Sequence, residues 1–167
     1  MTAPRTVKVL VVDDHAGMRN ALTRLIDSEQ PQLWCVGSAA TGAEALVMAR
    51  EKQPHVILLD VVLGDEDGLA LIAPLHRSAE VAIVVLTSLV DPRVAARAQR
   101  LGAVQCVHKS APAADLLVCI ARAGAKFTLL RPLPLERRGS SLVRRQEQAP
   151  RRGTHIFRCA AERGLLK

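Results

Sequence analysis

Five polar side chains follow or close apolar runs, and together they have the chemistry of a phosphoryl transfer. Asp13 and Asp14 follow Val7–Val12, Asp60 follows Val56–Leu59, Thr87 follows Val81–Leu86, and Lys109 closes the run that opens at Val104. A carboxylate can accept a phosphoryl group as an acyl phosphate, which makes Asp60 the candidate nucleophile. Asp13, Asp14 and Asp60 form a hard oxygen set suited to Mg²⁺. Three carboxylates held close together also repel one another unless a cation lies among them. Lys109 supplies a point charge for one phosphoryl oxygen, and Thr87 supplies a hydroxyl donor for another. Each residue alone has a plainer use. Asp13 and Asp14 could cap a helix, Lys109 could be solvated surface, and Thr87 could be a β-former. Their joint occurrence at the ends of four strands favours the shared site.

The elements that must position these residues follow from the same runs. Each is short, β-branched and apolar on both faces, the pattern of a buried parallel strand. Ligands of an open parallel sheet sit beyond the carboxyl ends of its strands. Between the runs lie segments of helical period. Met18, Leu22, Leu25 and Ile26 mark the first helix, and 42–50 the second. Leu33–Val36 reads as the second strand, and Pro54 ends the second helix. Residues 64–68 form a turn, and a third helix runs through Leu69, Ile72 and Leu75, with Pro74 expected to shorten or bend it. Asp91 caps a fourth helix with Pro92 at its first position, and Gly102 stops it. Pro112 opens a fifth helix carrying Leu116, Leu117 and Ile120. Five β-α repeats predict an α/β three-layer sandwich with right-handed crossovers.

The motifs resemble the receiver domain of bacterial response regulators. They are Val9–Val12 leading into Asp13-Asp14-His15, Leu58-Leu59-Asp60 with Gly68 eight residues on, Leu86-Thr87-Ser88, and Gly102–Lys109. The match covers about residues 5–124, in order and in spacing. The resemblance implies a flavodoxin-like doubly wound parallel sheet of five strands in the order 2-1-3-4-5. It implies Asp60 as the phosphoacceptor of a two-component phosphorelay, charged by a sensor histidine kinase. Mg²⁺ would be held by Asp14, Asp60 and the backbone carbonyl of Val62, with Asp13 acting largely through water. Thr87 and Lys109 would bind the phosphoryl group. Asp13-Asp14-His15 followed by Met18-Arg19 and Leu22 looks most like receivers of the NarL/FixJ type. One departure bears on switching: Cys106 stands where such receivers carry an aromatic residue, and the chain has no Tyr. Leu63-Gly64 and Ser88 are milder departures. A homodimer, through the fourth-helix, fifth-strand and fifth-helix face or through the first and fifth helices, is a further partner open under the resemblance.

Charge divides the chain. Residues 1–125 carry 12 Lys+Arg against 13 Asp+Glu, whereas 126–167 carry 11 against 3, so the basic excess lies in the tail. The expected domains are therefore a receiver over 1–125 and a basic, Arg/Pro-rich tail over 126–167, either poorly ordered or a truncated output segment. Residues 126–153 read as poorly ordered, docked at their start by Phe127 and Leu129, and 156–163 could form two helical turns. A NarL/FixJ-type helix-turn-helix output domain needs more residues than this tail has, so DNA binding has no recognisable module. Arginine pairs could still hold phosphates, without interleaved aromatics for base stacking. No run approaches the roughly 18–20 apolar residues of a membrane span, and no signal-peptide region precedes the first strand. A cytoplasmic protein without a membrane partner is expected. The four cysteines show no CxxC spacing and read as buried small hydrophobes or spare thiols.

Two other classes compete with the phosphoacceptor switch, which is not a multiple-turnover enzyme. A Mg²⁺-dependent phosphohydrolase would usually place its nucleophile on the first strand with a second Asp two residues on, whereas here the pair is adjacent and the isolated Asp is on the third strand. A phosphorylation-independent interaction module would not need all five residues.

Overall fold

The computed structural model describes the backbone of residues 6–130 and the side chains of 6–125. Five parallel strands form the sheet: β1 (Val7–Val12), β2 (Leu33–Ala39), β3 (Val56–Asp60), β4 (Ala82–Thr87) and β5 (Gln105–His108). Their order is β2-β1-β3-β4-β5. Five helices connect or follow them: α1 (Ala16–Asp27), α2 (Gly42–Lys52), α3 (Ile72–Ser78), α4 (Pro92–Leu101) and α5 (Ala113–Leu130). Alternate residues of one strand face opposite layers, as the period of a strand requires. Val9 and Val11 pack with Leu22, Ile26 and Ile120 of α1 and α5. Leu10 and Val12 pack with Ala45, Ile72, Leu75 and Ala98 of α2, α3 and α4. Burial on both faces explains the unbroken apolar runs of β1, β3 and β4. The edge strands β2 and β5 are more exposed, because only one neighbour covers each edge.

Several boundaries differ from the sequence reading for physical reasons. β2 continues to Ala39, three residues past Val36, by pairing with β1 across an irregularity between Val9 and Leu10. The third helix begins as a 3₁₀ turn over Gly68–Leu71 and becomes α-helical from Ile72. Pro74 therefore sits in the first α-helical turn, where a missing N–H is tolerated. Residues 62–67 form a short antiparallel ribbon, Val62–Leu63 against Glu66–Asp67, turning at Gly64 with φ +57°. The fourth helix is as expected: the Asp91 carboxylate accepts from the Arg93 amide, Pro92 is the first residue, and Gly102 closes it with φ 107°. The docking expected for Phe127 and Leu129, and everything expected of 131–167, lies outside the described side chains and residues.

Register carries the polar residues to one edge. Val12 pairs with Leu59, so Asp13 and Asp60 each lie one residue beyond a matched pair. Asp60 pairs with Leu86, and Thr87 pairs with His108, which sets Thr87 and Lys109 at the same sheet end.

Candidate phosphoryl-acceptor site

Asp13, Asp60 and Thr87 are the buried polar residues among those described. Burial of carboxylates is costly unless they are paired, and Lys109 pairs two of them. Its Nζ donates to Asp13 Oδ2 at 2.7 Å and to Asp60 Oδ2 at 2.6 Å. Desolvation pulls the Lys109 pKa down, but hydrogen bonds and attraction from Asp13 and Asp60 outweigh it and hold the ammonium above its ordinary value. The other oxygens are also engaged. Asp13 Oδ1 accepts from the His15 amide at 2.9 Å, and Asp60 Oδ1 accepts from the Val62 amide at 3.3 Å.

Asp14 lies at the mouth of the site. Its Oδ1 is 2.7 Å from His15 Nδ1, and its Oδ2 accepts from the Gly64 amide at 3.1 Å. Desolvation pushes the Asp14 carboxyl up, but the His15 and Gly64 hydrogen bonds and the His15 charge hold it below the usual carboxylate value. The left-handed Gly64 turn thus brings the ribbon onto the acidic pair. Beside it, His15, Ala16, Gly17, Met18 and Lys109 line an open cavity of about 460 Å³, which gives access to the ammonium from solvent.

Further residues build the site without being evident as chemistry in the sequence. Arg19 Nη1 donates to the backbone carbonyls of Asp13 and Asp14 at 2.7 and 2.8 Å, fixing the strand end that presents both acids. Only its place one turn into α1 after the acidic pair hints at this. Gly68 donates its amide to the Val61 carbonyl at 2.8 Å. A β-carbon at Gly68 would fall well inside contact distance of the Asp60 carbonyl oxygen, so this glycine is required by close backbone approach.

Thr87 is at the expected strand end, and its hydroxyl accepts the Leu89 amide at 2.9 Å. Lys109 donates its own amide to the Thr87 carbonyl at 2.8 Å. Cys106 is half-buried, paired with Val85 and packed against the α2–α4 side of the core. Burial pushes its thiol pKa up, the direction expected of a thiol among apolar neighbours.

The donor set fits a divalent cation. Asp13 and Asp60 share the Lys109 ammonium, Asp14 contacts His15 and the Gly64 amide instead, and Arg19 directs its hydrogen bonds to backbone carbonyls, so negative charge remains in excess. Carboxylate oxygens of Asp13 and Asp14 and a ring nitrogen of His15 lie within 4.8 Å of one another. Asp60 joins them through Lys109.

Comparisons with known proteins agree with this geometry. The chain is 39% identical over 106 residues to a protein-glutamate methylesterase/protein-glutamine glutaminase of Methylobacillus flagellatus, covering 62% of this chain and 30% of that protein. It is 27% identical over 143 residues to the response regulator protein VraR of Staphylococcus aureus, covering 85% of this chain and 68% of that one. The response regulator domain of Thermotoga maritima CheB superposes with a TM-score of 0.67 at 32% identity, over 72% of this chain and 98% of that one. Among the described residues, no helix is long and apolar enough to cross a membrane. Residues 9–121 match the family model of the response regulator receiver domain, and with its sheet order and its acid–lysine site the chain belongs to that family.

Proposed function

We propose that Asp60 is the phosphoacceptor of this receiver, that a sensor histidine kinase is its donor, and that phosphorylation changes affinity for a partner. The observation that carries the reading is the half-buried Lys109 ammonium shared by the buried carboxylates of Asp13 and Asp60. An Asp60 oxygen attacks phosphorus while the donor's bond to phosphorus breaks and its electron pair leaves with the donor. The product is an acyl phosphate. Lys109 exchanges its Asp60 contact for a phosphoryl oxygen, and its bond to Asp13 keeps the ammonium within reach. The Thr87 hydroxyl donates to a second phosphoryl oxygen. Asp14, Asp60 and the Val62 carbonyl would hold Mg²⁺, with Asp13 acting through water. Bound there, the ion would supply neutralisation of the charge developing on the phosphoryl oxygens.

The chain is a stoichiometric acceptor rather than a multiple-turnover enzyme, and it works in the cytoplasm. Its subfamily is of the NarL/FixJ type, by the Asp13-Asp14-His15 and Met18-Arg19 pattern. The output surface is the α4–β5–α5 face, where Leu101, Val104 and Val118 are exposed apolar residues, and homodimerisation there is the simplest use of it. Acetyl phosphate consumption in the presence of Mg²⁺ tests the reading. One phosphoryl group retained per chain, on the peptide containing Asp60, is expected. Rapid consumption of many equivalents without a retained adduct favours a phosphohydrolase, and an adduct on another peptide contradicts the assignment.

A further inference from the structure

We propose that His108 is a positioning residue that sets the place of the Thr87 hydroxyl and of the loop after it, by joining the two loops that leave β4 and β5. The inference rests on the phosphoacceptor reading for its consequence but not for its geometry. His108 pairs with Thr87 across the sheet, and its ring reaches both neighbouring loops. Nε2 lies 3.2 Å from the Ser88 carbonyl oxygen, while Nδ1 lies 2.6 Å from Ser110 Oγ. The Ser110 amide also donates to Nδ1, at 3.2 Å. A nitrogen that accepts from an amide carries no proton of its own, so the proton of the neutral ring is on Nε2. Nε2–H therefore donates to Ser88, and the Ser110 hydroxyl and amide both donate to Nδ1.

This ring bridges the segments that carry the two phosphoryl-binding groups. Ser88 follows Thr87, and Ser110 follows Lys109. The Lys109 amide is bonded to the Thr87 carbonyl, so the backbones are already joined one residue back. The His108 ring extends that junction into the loops, where the sheet no longer pairs them. Leu89 then returns its amide to the Thr87 hydroxyl. Thr87 Oγ1, the Ser88 carbonyl and the Leu89 amide are thus fixed by one short chain of hydrogen bonds ending on His108. A Thr87 hydroxyl that turns toward a phosphoryl group on Asp60 changes its bond to Leu89, and His108 determines how far the Ser88–Leu89 backbone follows. Leu89 and Val90 are 46% and 89% exposed, so the segment that moves displays apolar side chains to solvent.

Amide hydrogen exchange on the full chain, with and without acetyl phosphate and Mg²⁺, tests the proposal in wild type, His108→Ala and His108→Gln. In the resting protein, His108→Ala should lower protection of the Leu89 amide roughly fivefold, the fold-change of one ordinary intramolecular hydrogen bond. His108→Gln keeps a donor and an acceptor and should restore part of it. Unchanged protection of Val84 and Val85 shows that the sheet is intact in each variant. On phosphorylation, wild type should change protection at Leu89 and Val90, and His108→Ala should lose most of that change while still forming one adduct per chain. Equal Leu89 protection in wild type and His108→Ala overturns the positioning role. An unchanged phosphorylation response in the variant overturns the coupling role. Failure of wild type to form any adduct instead overturns the phosphoacceptor reading and its coupling consequence, while the resting comparison still decides whether His108 positions the loop.

Discussion

At Lys109, two buried carboxylates share one ammonium, and the pairing ties stability to pH. The folded protein holds this lysine above its ordinary value of 10.5. A group whose pKa is raised by folding stabilises fully below its unfolded value, and that contribution is lost as pH rises through the folded value. Lys109→Met should therefore cost about 1–3 kcal/mol near neutral pH, because it leaves Asp13 and Asp60 without their donor. The difference from wild type should shrink as pH rises past 10.5. The chain has no Tyr to titrate in that window, and the raised Cys106 thiol, of the same sign, is common to both proteins. Urea midpoints across that range check the claim, and a difference independent of pH contradicts it. The placement of the five candidate residues at one sheet end was legible because each follows or closes an apolar run, where a charge or hydroxyl stands out. Arg19 and His108 were not. Their contacts are to backbone carbonyls and loops, which no spacing of residue types encodes.

Among the elements, the 62–67 ribbon and the 3₁₀ turn after it decide where Asp60 sits. Gly68 packs against the Asp60 carbonyl and anchors the turn to Val61. Gly68→Ala should cost about 1–3 kcal/mol, as forced overpacking does, and should slow adduct formation by displacing the acceptor backbone. Gly17 in α1 is the control. A β-carbon there meets nothing within 4 Å, and Gly17→Ala should leave the adduct unchanged and raise stability by up to about 1 kcal/mol. Equal effects of the two substitutions would remove the special role of Gly68. The strands and helices were readable because two-sided burial writes continuous apolar runs and because Asp91, Pro92 and Gly102 punctuate α4. The ribbon was read only as a turn. Two-residue strands have no period, and what holds them, the Gly64 amide on Asp14, joins residues 50 apart in sequence.

Over the whole molecule, charge separates what the fold does from what the tail could do. Residues 1–125 are nearly balanced and 126–167 carry 11 Lys+Arg against 3 Glu. If the tail holds nucleic-acid phosphates, affinity of the full chain for generic DNA should fall steeply with added salt, as counterion release requires, and should vanish on deletion of 126–167. Salt-insensitive binding, or binding that survives the deletion, contradicts the tail's role. The receiver account itself stands apart from that outcome. It is tested most directly by intact-protein mass after incubation with acetyl phosphate, comparing wild type with Asp60→Ala in the presence and absence of Mg²⁺. One added phosphoryl group is expected on wild type with Mg²⁺, and none on the variant or without the metal. An adduct that persists in Asp60→Ala, or none on wild type when Mg²⁺ is shown to bind, would contradict it.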